Sequence, residues 1–255
     1  MSTRPYIIEE TPWKVIKDTA YDLAVLPWGA TEAHNLHLPF ATDNIIGEYI
    51  AGEAARIAWE KGVKTAVLPV VPFGVNTTQL TIKLDINMNP STQMAVLNDV
   101  VDSLNRQGIR KLVVLNSHGG NDFRQIIREL HPKYPEMFIC VVTWWNSVDI
   151  SKYFDDAGDH AGEFETSALM YFAPQLVLPL SEAGTGHARQ FKIPALKARW
   201  AWAPRDWLQV TKDTGIGNPS KSTAEKGRKC MEAVTQNIAR FFVDLAKSDL
   251  KDMYE

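Results

Sequence analysis

Short apolar runs alternate along the chain with stretches whose apolar residues recur at helical spacing. Residues 22–27 (DLAVLP), 65–71 (TAVLPVV), 111–115 (KLVVL) and 137–143 (MFICVVT) have strand length and read as strands buried on both faces. After the first run, Ile45, Ile46, Tyr49, Ile50, Ala54 and Ile57 predict a helix over 43–59, with Thr42 as its N-cap. Asn89-Pro90 predicts the start of a second helix, because the N–H that proline lacks has no helical partner there. Met94, Leu97, Val101 and Leu104 form its apolar face. Further helices are predicted over 121–130, over 162–172 before Pro174, and over 222–247. The stretch 175–221, rich in Pro, Gly, Trp and Arg, shows no period and predicts a long irregular excursion.

This alternation predicts an α/β fold, with helices on both sides of a mostly parallel central sheet. Residues 1–255 read as a single domain, since no repeat or low-complexity linker divides them. Ligand sites in such sheets lie beyond the carboxyl ends of the strands. The polar clusters of the sequence fall at those ends.

The first cluster runs from Glu32 through His34 and His37 to Pro39, with Asp43 close behind. Side chains two apart in extended chain share a side, so Glu32 and His34 can reach one centre. A polar turn with a capping aspartate has the same spacing. The second cluster, Asn116-Ser117-His118-Gly119-Gly120-Asn121, opens the third helix; alone it reads equally as a glycine-rich turn. The third places Asp159, His160, Glu163 and Glu165 ahead of Thr166 and Ser167. Alone it reads as a capping region with solvated carboxylates. Jointly the three supply imidazoles and carboxylates without cysteine, a donor set for divalent zinc, manganese or iron in a hydrolytic site. There is no Gly-x-Ser-x-Gly elbow, P-loop or Gly-x-Gly-x-x-Gly to support a serine hydrolase or a nucleotide site.

Composition narrows the partners. A net charge of −3 and the lack of a Lys/Arg block give no sign of a nucleic-acid partner. No apolar run reaches the roughly 18 residues of a membrane span, and the first ten residues lack the apolar core of a signal peptide. Cys140 and Cys230 form no motif and fit buried thiols in a reducing compartment, so a cytoplasmic location is expected. Trp144, Trp145, Trp200, Trp202 and Trp207 are candidates for packing, for a pocket wall or for a subunit interface.

These motifs resemble the creatininase (creatinine amidohydrolase) family. Its first motif, near Glu-Gln-His-Gly-Pro-His-Leu-Pro-Leu then Asp, stands here as Glu32 to Phe40, then Asp43. Its second, Asn-Gly-His-Gly-Gly-Asn, stands as Asn116 to Asn121. Its third, His-Ala-Gly-Glu-x-Glu-Thr-Ser, is complete from His160 to Ser167. A fourth appears as Gly217-Asn218-Pro219 and then Ser222 to Gly227.

The resemblance implies a three-layer α/β/α sandwich around a four-stranded parallel sheet. It implies two divalent metal ions per chain, Zn2+ or Mn2+ with Fe2+ as an alternative, and a homo-oligomer, commonly a hexamer. Glu32, Asp43 and His118 would bind one ion; His34, Asp43 and a further carboxylate would bind the other. In creatininase that carboxylate lies two residues after the histidine of the second motif, where this chain has Gly120. The expectation therefore passes to Glu163 as the fifth ligand, also carried as a catalytic candidate. His160, backed by Asp159, matches the catalytic histidine. The implied reaction is hydrolysis of a small cyclic amide or formamide. The competing readings are opening of an oxidised cyclic polyol with the same metals, and a catalytically silent metal-binding assembly. Ala33, Asn35, Leu36 and the stretch 74–81 depart from the family pattern and point away from creatinine itself.

Overall fold

A computed structural model describes residues 4–255. Four parallel strands, β1 (Leu23–Trp28), β2 (Thr65–Val67), β3 (Lys111–Asn116) and β4 (Phe138–Thr143), form one sheet in the order β2-β1-β3-β4. The second run is shorter than its apolar stretch predicts. After Val67 the Leu68 amide still donates to Val25 O, and the chain then meets β1 again at the isolated Trp28–Val71 bridge, because Pro69 and Pro72 lack the N–H that a ladder needs.

Five long helices flank the sheet: α1 (Thr42–Glu60), α2 (Pro90–Arg106), α3 (Phe123–Leu130), α4 (Glu163–Phe172) and α5 (Ala224–Lys247). Side chains alternate across a strand, so each central strand feeds two cores. Leu23, Val25, Val113 and Leu115 pack on one face with α1, α4 and α5. Ala24, Leu26, Trp28, Leu112 and Val114 pack on the other with Leu97, Val101 and Leu104 of α2 and Phe123, Ile126 and Leu130 of α3. Burying each such large apolar side chain contributes about 1.5–3 kcal/mol, and that burial sets the three layers.

Helix starts follow local chemistry. Asp122 caps α3 through the Arg124 amide and Thr223 caps α5 through the Lys226 amide. Thr42 is not the N-cap predicted for it. It lies inside α1, and its hydroxyl donates to the Pro39 carbonyl at 2.7 Å. The segment 175–221 holds only short turns and two four-residue helices, Pro194–Lys197 and Trp207–Val210.

The register pairs Trp28 of β1 with Asn116 of β3. The carboxyl ends of these central strands are therefore level. From β1 the chain crosses to β2 on one side, while β3 lies on the other. The segments after β1 and β3 thus leave the sheet at its switch point, where ligands bind in open α/β sheets.

Candidate metal centre

Beyond β1 the chain turns sharply. Asn35 adopts φ 53°, a left-handed conformation that asparagine tolerates. The turn carries Glu32 and His34 back over the sheet, and α1 begins with Asp43 in its first turn. A helix N-terminus favours a negative charge there. Beyond β3, the turn 116–121 brings His118 to the same point. Its backbone N–H donates to Asn116 Oδ1 at 3.2 Å, and the Asn121 amide donates to the same oxygen at 3.1 Å. Gln93 of α2 and the Val75 amide hold Asn121 in turn.

His118 Nδ1 lies 2.9 Å from Glu32 Oε1 and 3.0 Å from Asp43 Oδ2. His34 Nε2 lies 3.1 Å from Asp43 Oδ1. The two oxygens of Asp43 thus face different imidazoles, as a bridging carboxylate requires. His160 Nδ1 stands 3.7 Å from Glu32 Oε1, and its ring packs 4.2 Å from that of His34.

Each imidazole has its second nitrogen on a backbone carbonyl. His34 Nδ1 faces Glu32 O at 3.0 Å, His118 Nε2 faces Val75 O at 3.1 Å and His160 Nε2 faces Ala33 O at 2.9 Å. A carbonyl oxygen only accepts, so the hydrogen of each neutral ring sits on the outer nitrogen. The inner nitrogen keeps its lone pair toward the carboxylates. This is the outer-sphere arrangement that fixes tautomer and orientation in metal-binding histidines.

The donors fall into three groups, each with its ligand atoms within 4.8 Å of one another: Glu32, Asp43 and His118; His34, Asp43 and Glu165; Glu32, His34 and His160. Among the described residues, no lysine or arginine pairs with the buried Glu32 or Asp43. Two buried carboxylates without a fixed cation, ringed by oriented imidazoles, fit a divalent ion.

Among themselves the buried imidazoles and carboxylates favour each other's charged forms, and a bound ion would displace the imidazole protons. Burial alone would lift Glu32, but His118 and His160 outweigh it and hold its carboxyl below the usual range. Burial likewise opposes the charged form of Asp43, and His34 and His118 pull it far down. Burial would lower His34, yet Asp43 raises it to about 10. Burial raises the Glu165 carboxyl.

Glu32, His34, Asp43, His118 and His160 come together. Two other expectations do not fit. Glu163 is buried but points away from the cluster: its carboxylate accepts the Asp155 and Asp156 amides, each at 3.0 Å, and pairs with Lys226. Glu165 stands in the donor group instead. On a helix, residues two apart face nearly opposite ways, so only one of the two can reach the centre. Asp159 does not back His160; it pairs with Arg205 at 2.6 Å near the surface. The Arg205 guanidinium lies 5.0 Å from the Trp207 ring, which stands edge-on to His160 at 5.3 Å. Trp207 therefore walls the site, and Trp144 packs in the core.

Gln79 is absent from the sequence expectation. Its amide donates to Glu32 Oε2, and only its place in the departing stretch 74–81 marked it.

The irregular excursion roofs the centre. Asn35 exchanges hydrogen bonds with Gly184, the Leu178 amide donates to His37 O, and Ile216 bridges His160.

The sequence profile of the creatininase family, described as creatinine amidohydrolase, matches residues 9–242. A Bacteroides fragilis structure described as a candidate creatinine amidohydrolase is 42% identical, with a TM-score of 0.94 and full coverage of both chains. The mycofactocin precursor peptide peptidase of Mycobacterium tuberculosis is 25% identical over 229 residues, covering 85% of this chain and 82% of that protein. A creatininase variant of the Zn-Zn type shares the fold at 21% identity, with a TM-score of 0.77 over 97% of this chain and 100% of the other.

Proposed function

Because the chain belongs to the creatininase family, we propose that it is a metal-dependent hydrolase that cleaves the amide C–N bond of a small, non-peptide molecule. One observation carries this reading: three imidazoles are held by backbone carbonyls at their outer nitrogens and turn their inner nitrogens to shared carboxylates. The names of two similar proteins, an amidohydrolase and a peptidase, support amide cleavage as the reaction type. The Zn-Zn type of a structural neighbour supports a pair of zinc-like ions.

Glu32, Asp43 and His118 would hold one ion, and His34, Asp43 and Glu165 the other, with Asp43 shared. Bound ions of this kind polarise a carbonyl and bring the pKa of a bound water toward neutrality. The protein's own groups do the rest. Ala33 O fixes the hydrogen of His160 on Nε2, which leaves Nδ1 to take a proton and pass it to the departing nitrogen. Trp207 stands edge-on to that ring at 5.3 Å.

The test is elemental analysis of the purified protein beside a His34→Ala, Asp43→Ala double variant, followed by a hydrolysis screen of cyclic amides and formamides. About two transition-metal ions per chain, lost in the variant together with turnover, are expected. A metal-free wild type that gains no activity from added zinc or manganese would sink the proposal.

A further inference from the structure

The loop between β2 and α2 carries a feature that binding metal alone does not explain. Gln79 is 4% exposed, and its amide nitrogen is committed to Glu32 Oε2. Turning the amide over would set oxygen against a carboxylate oxygen, so this orientation follows from the chemistry. The other end of the amide, Oε1, is buried with no hydrogen-bond partner. A primary amide keeps its oxygen within about 2.2 Å of its nitrogen. The orphan acceptor therefore sits beside the Glu32 carboxylate, at the edge of the donor cluster. Leaving such a group unpaired is costly, and beside a cluster of candidate ligands a functional role accounts for it.

The surrounding loop fits a ligand-facing role. Asp85 clamps the adjacent residue, accepting the Ala33 amide at 2.8 Å, and its second oxygen is also buried without a partner. Leu84 between them takes φ 69°, a strained conformation for a leucine. Thus two side chains of one loop each use one polar atom to grip the Glu32–Ala33 pair and leave an acceptor free. An acceptor beside the Glu32 carboxylate, such as Gln79 Oε1, can be met only by a donor, and the nitrogen of an amide substrate carries one.

We propose that Gln79 is a specificity-determining residue whose Oε1 accepts an N–H of the substrate, so that the site takes amides that keep a hydrogen on nitrogen and refuses fully substituted amides that lack one. This rests on the metal-dependent amidohydrolase reading. Gln79 also positions Glu32 through its amide nitrogen, so a useful test must separate the two roles.

Two probes do so: acetohydroxamate, which chelates a divalent ion and carries an N–H, and N-methylacetohydroxamate, which chelates in the same way without it. Their dissociation constants are measured by calorimetry on zinc-loaded wild type and on Gln79→Met, with zinc content assayed for each protein. The wild type is expected to prefer acetohydroxamate by about tenfold, the scale of one hydrogen bond to a buried acceptor. In Gln79→Met that ratio should fall to near one while zinc is retained. A wild-type ratio near one would overturn the assignment, as would a preference unchanged in Gln79→Met, which would make it steric. Loss of zinc binding by the wild type would instead overturn the metal-dependent reading beneath it. Gln79→Asn, which retracts the acceptor by one methylene, should fall between the two ratios; wild-type discrimination in that variant would also count against the proposal.

Discussion

At the scale of single residues, the centre depends on which atom of each side chain is already occupied. Glu163 and Glu165 are close in sequence and unlike in use. Glu163 serves Lys226 and two backbone amides, whereas Glu165 stands with His34 and Asp43. Glu165→Gln is therefore expected to lower metal content from about two ions per chain to about one and to remove turnover. Glu163→Gln should leave metal content unchanged and lower the melting temperature, because Lys226 loses its buried ion-pair partner and keeps only the exposed Asp155 carboxylate; elemental analysis and thermal melts of both variants check this. His37 adds a pH effect. It is buried against the Thr166 hydroxyl at 2.9 Å, and burial, with the nearby His34, lowers it to about 4. An unfolded histidine titrates near 6.5, so between those values the unfolded chain binds the extra proton. The stability from neutral His37 is present above about pH 6.5 and lost as pH falls toward 4. Denaturant midpoints at pH 7.5 and 5 should fall further for wild type than for His37→Gln.

At the scale of elements, α4 and α5 set the register that chooses Glu165. They meet so closely at Gly227 that an added Cβ would lie 1.9 Å from the Ser167 carbonyl oxygen. Ser167 Oγ also accepts the amide of Thr223, the residue that caps α5. Gly227→Ala must push the helices apart. The expected cost is about 1–3 kcal/mol, the usual range for overpacking, read as a lower denaturant midpoint with an unchanged slope. The turn after β3 is similarly tight: a Cβ on Gly120 would meet Val75 O at 2.3 Å and His118 Nε2 at 2.4 Å. Gly120 thus permits the contact that orients His118. A carboxylate side chain there would break it, which gives a structural reason for the fifth donor to come from α4.

At the scale of the whole molecule, the centre joins segments that no single element connects: the turn after β1, the start of α1, the turn after β3 and the start of α4. Ions bound there cross-link both central strands to the helical layer. Zinc at a free concentration 100 times its dissociation constant should stabilise the fold by about 2.7 kcal/mol. A chelator should reverse the gain, and a thermal melt with and without added zinc checks both. In the His34→Ala, Asp43→Ala variant the zinc-dependent shift should vanish.

The apolar runs and helical periods were enough to place four strands and five helices, because burial of alternate faces is written directly into the order of residues. Glu32, His34, Asp43 and His118 were legible for a related reason. They follow the carboxyl ends of adjacent parallel strands, and a parallel sheet brings such segments to one edge. The choice between Glu163 and Glu165 was not legible, since it depends on the rotation of α4 about its axis, fixed by Phe164, Ala168 and Leu169 entering the core. Asp159 could not be placed from its neighbour, because the turn bends at Ala161, with φ 51°, and at Gly158, with φ 78°. Gln79 was invisible for a third reason: its meaning lies in one atom bonded to Glu32, 47 residues away, and another atom left free. Sequence determined which donors the chain can offer and at which sheet edge; only the tertiary structure decided which of them face one another, because helix rotation and loop docking are set by contacts between distant segments.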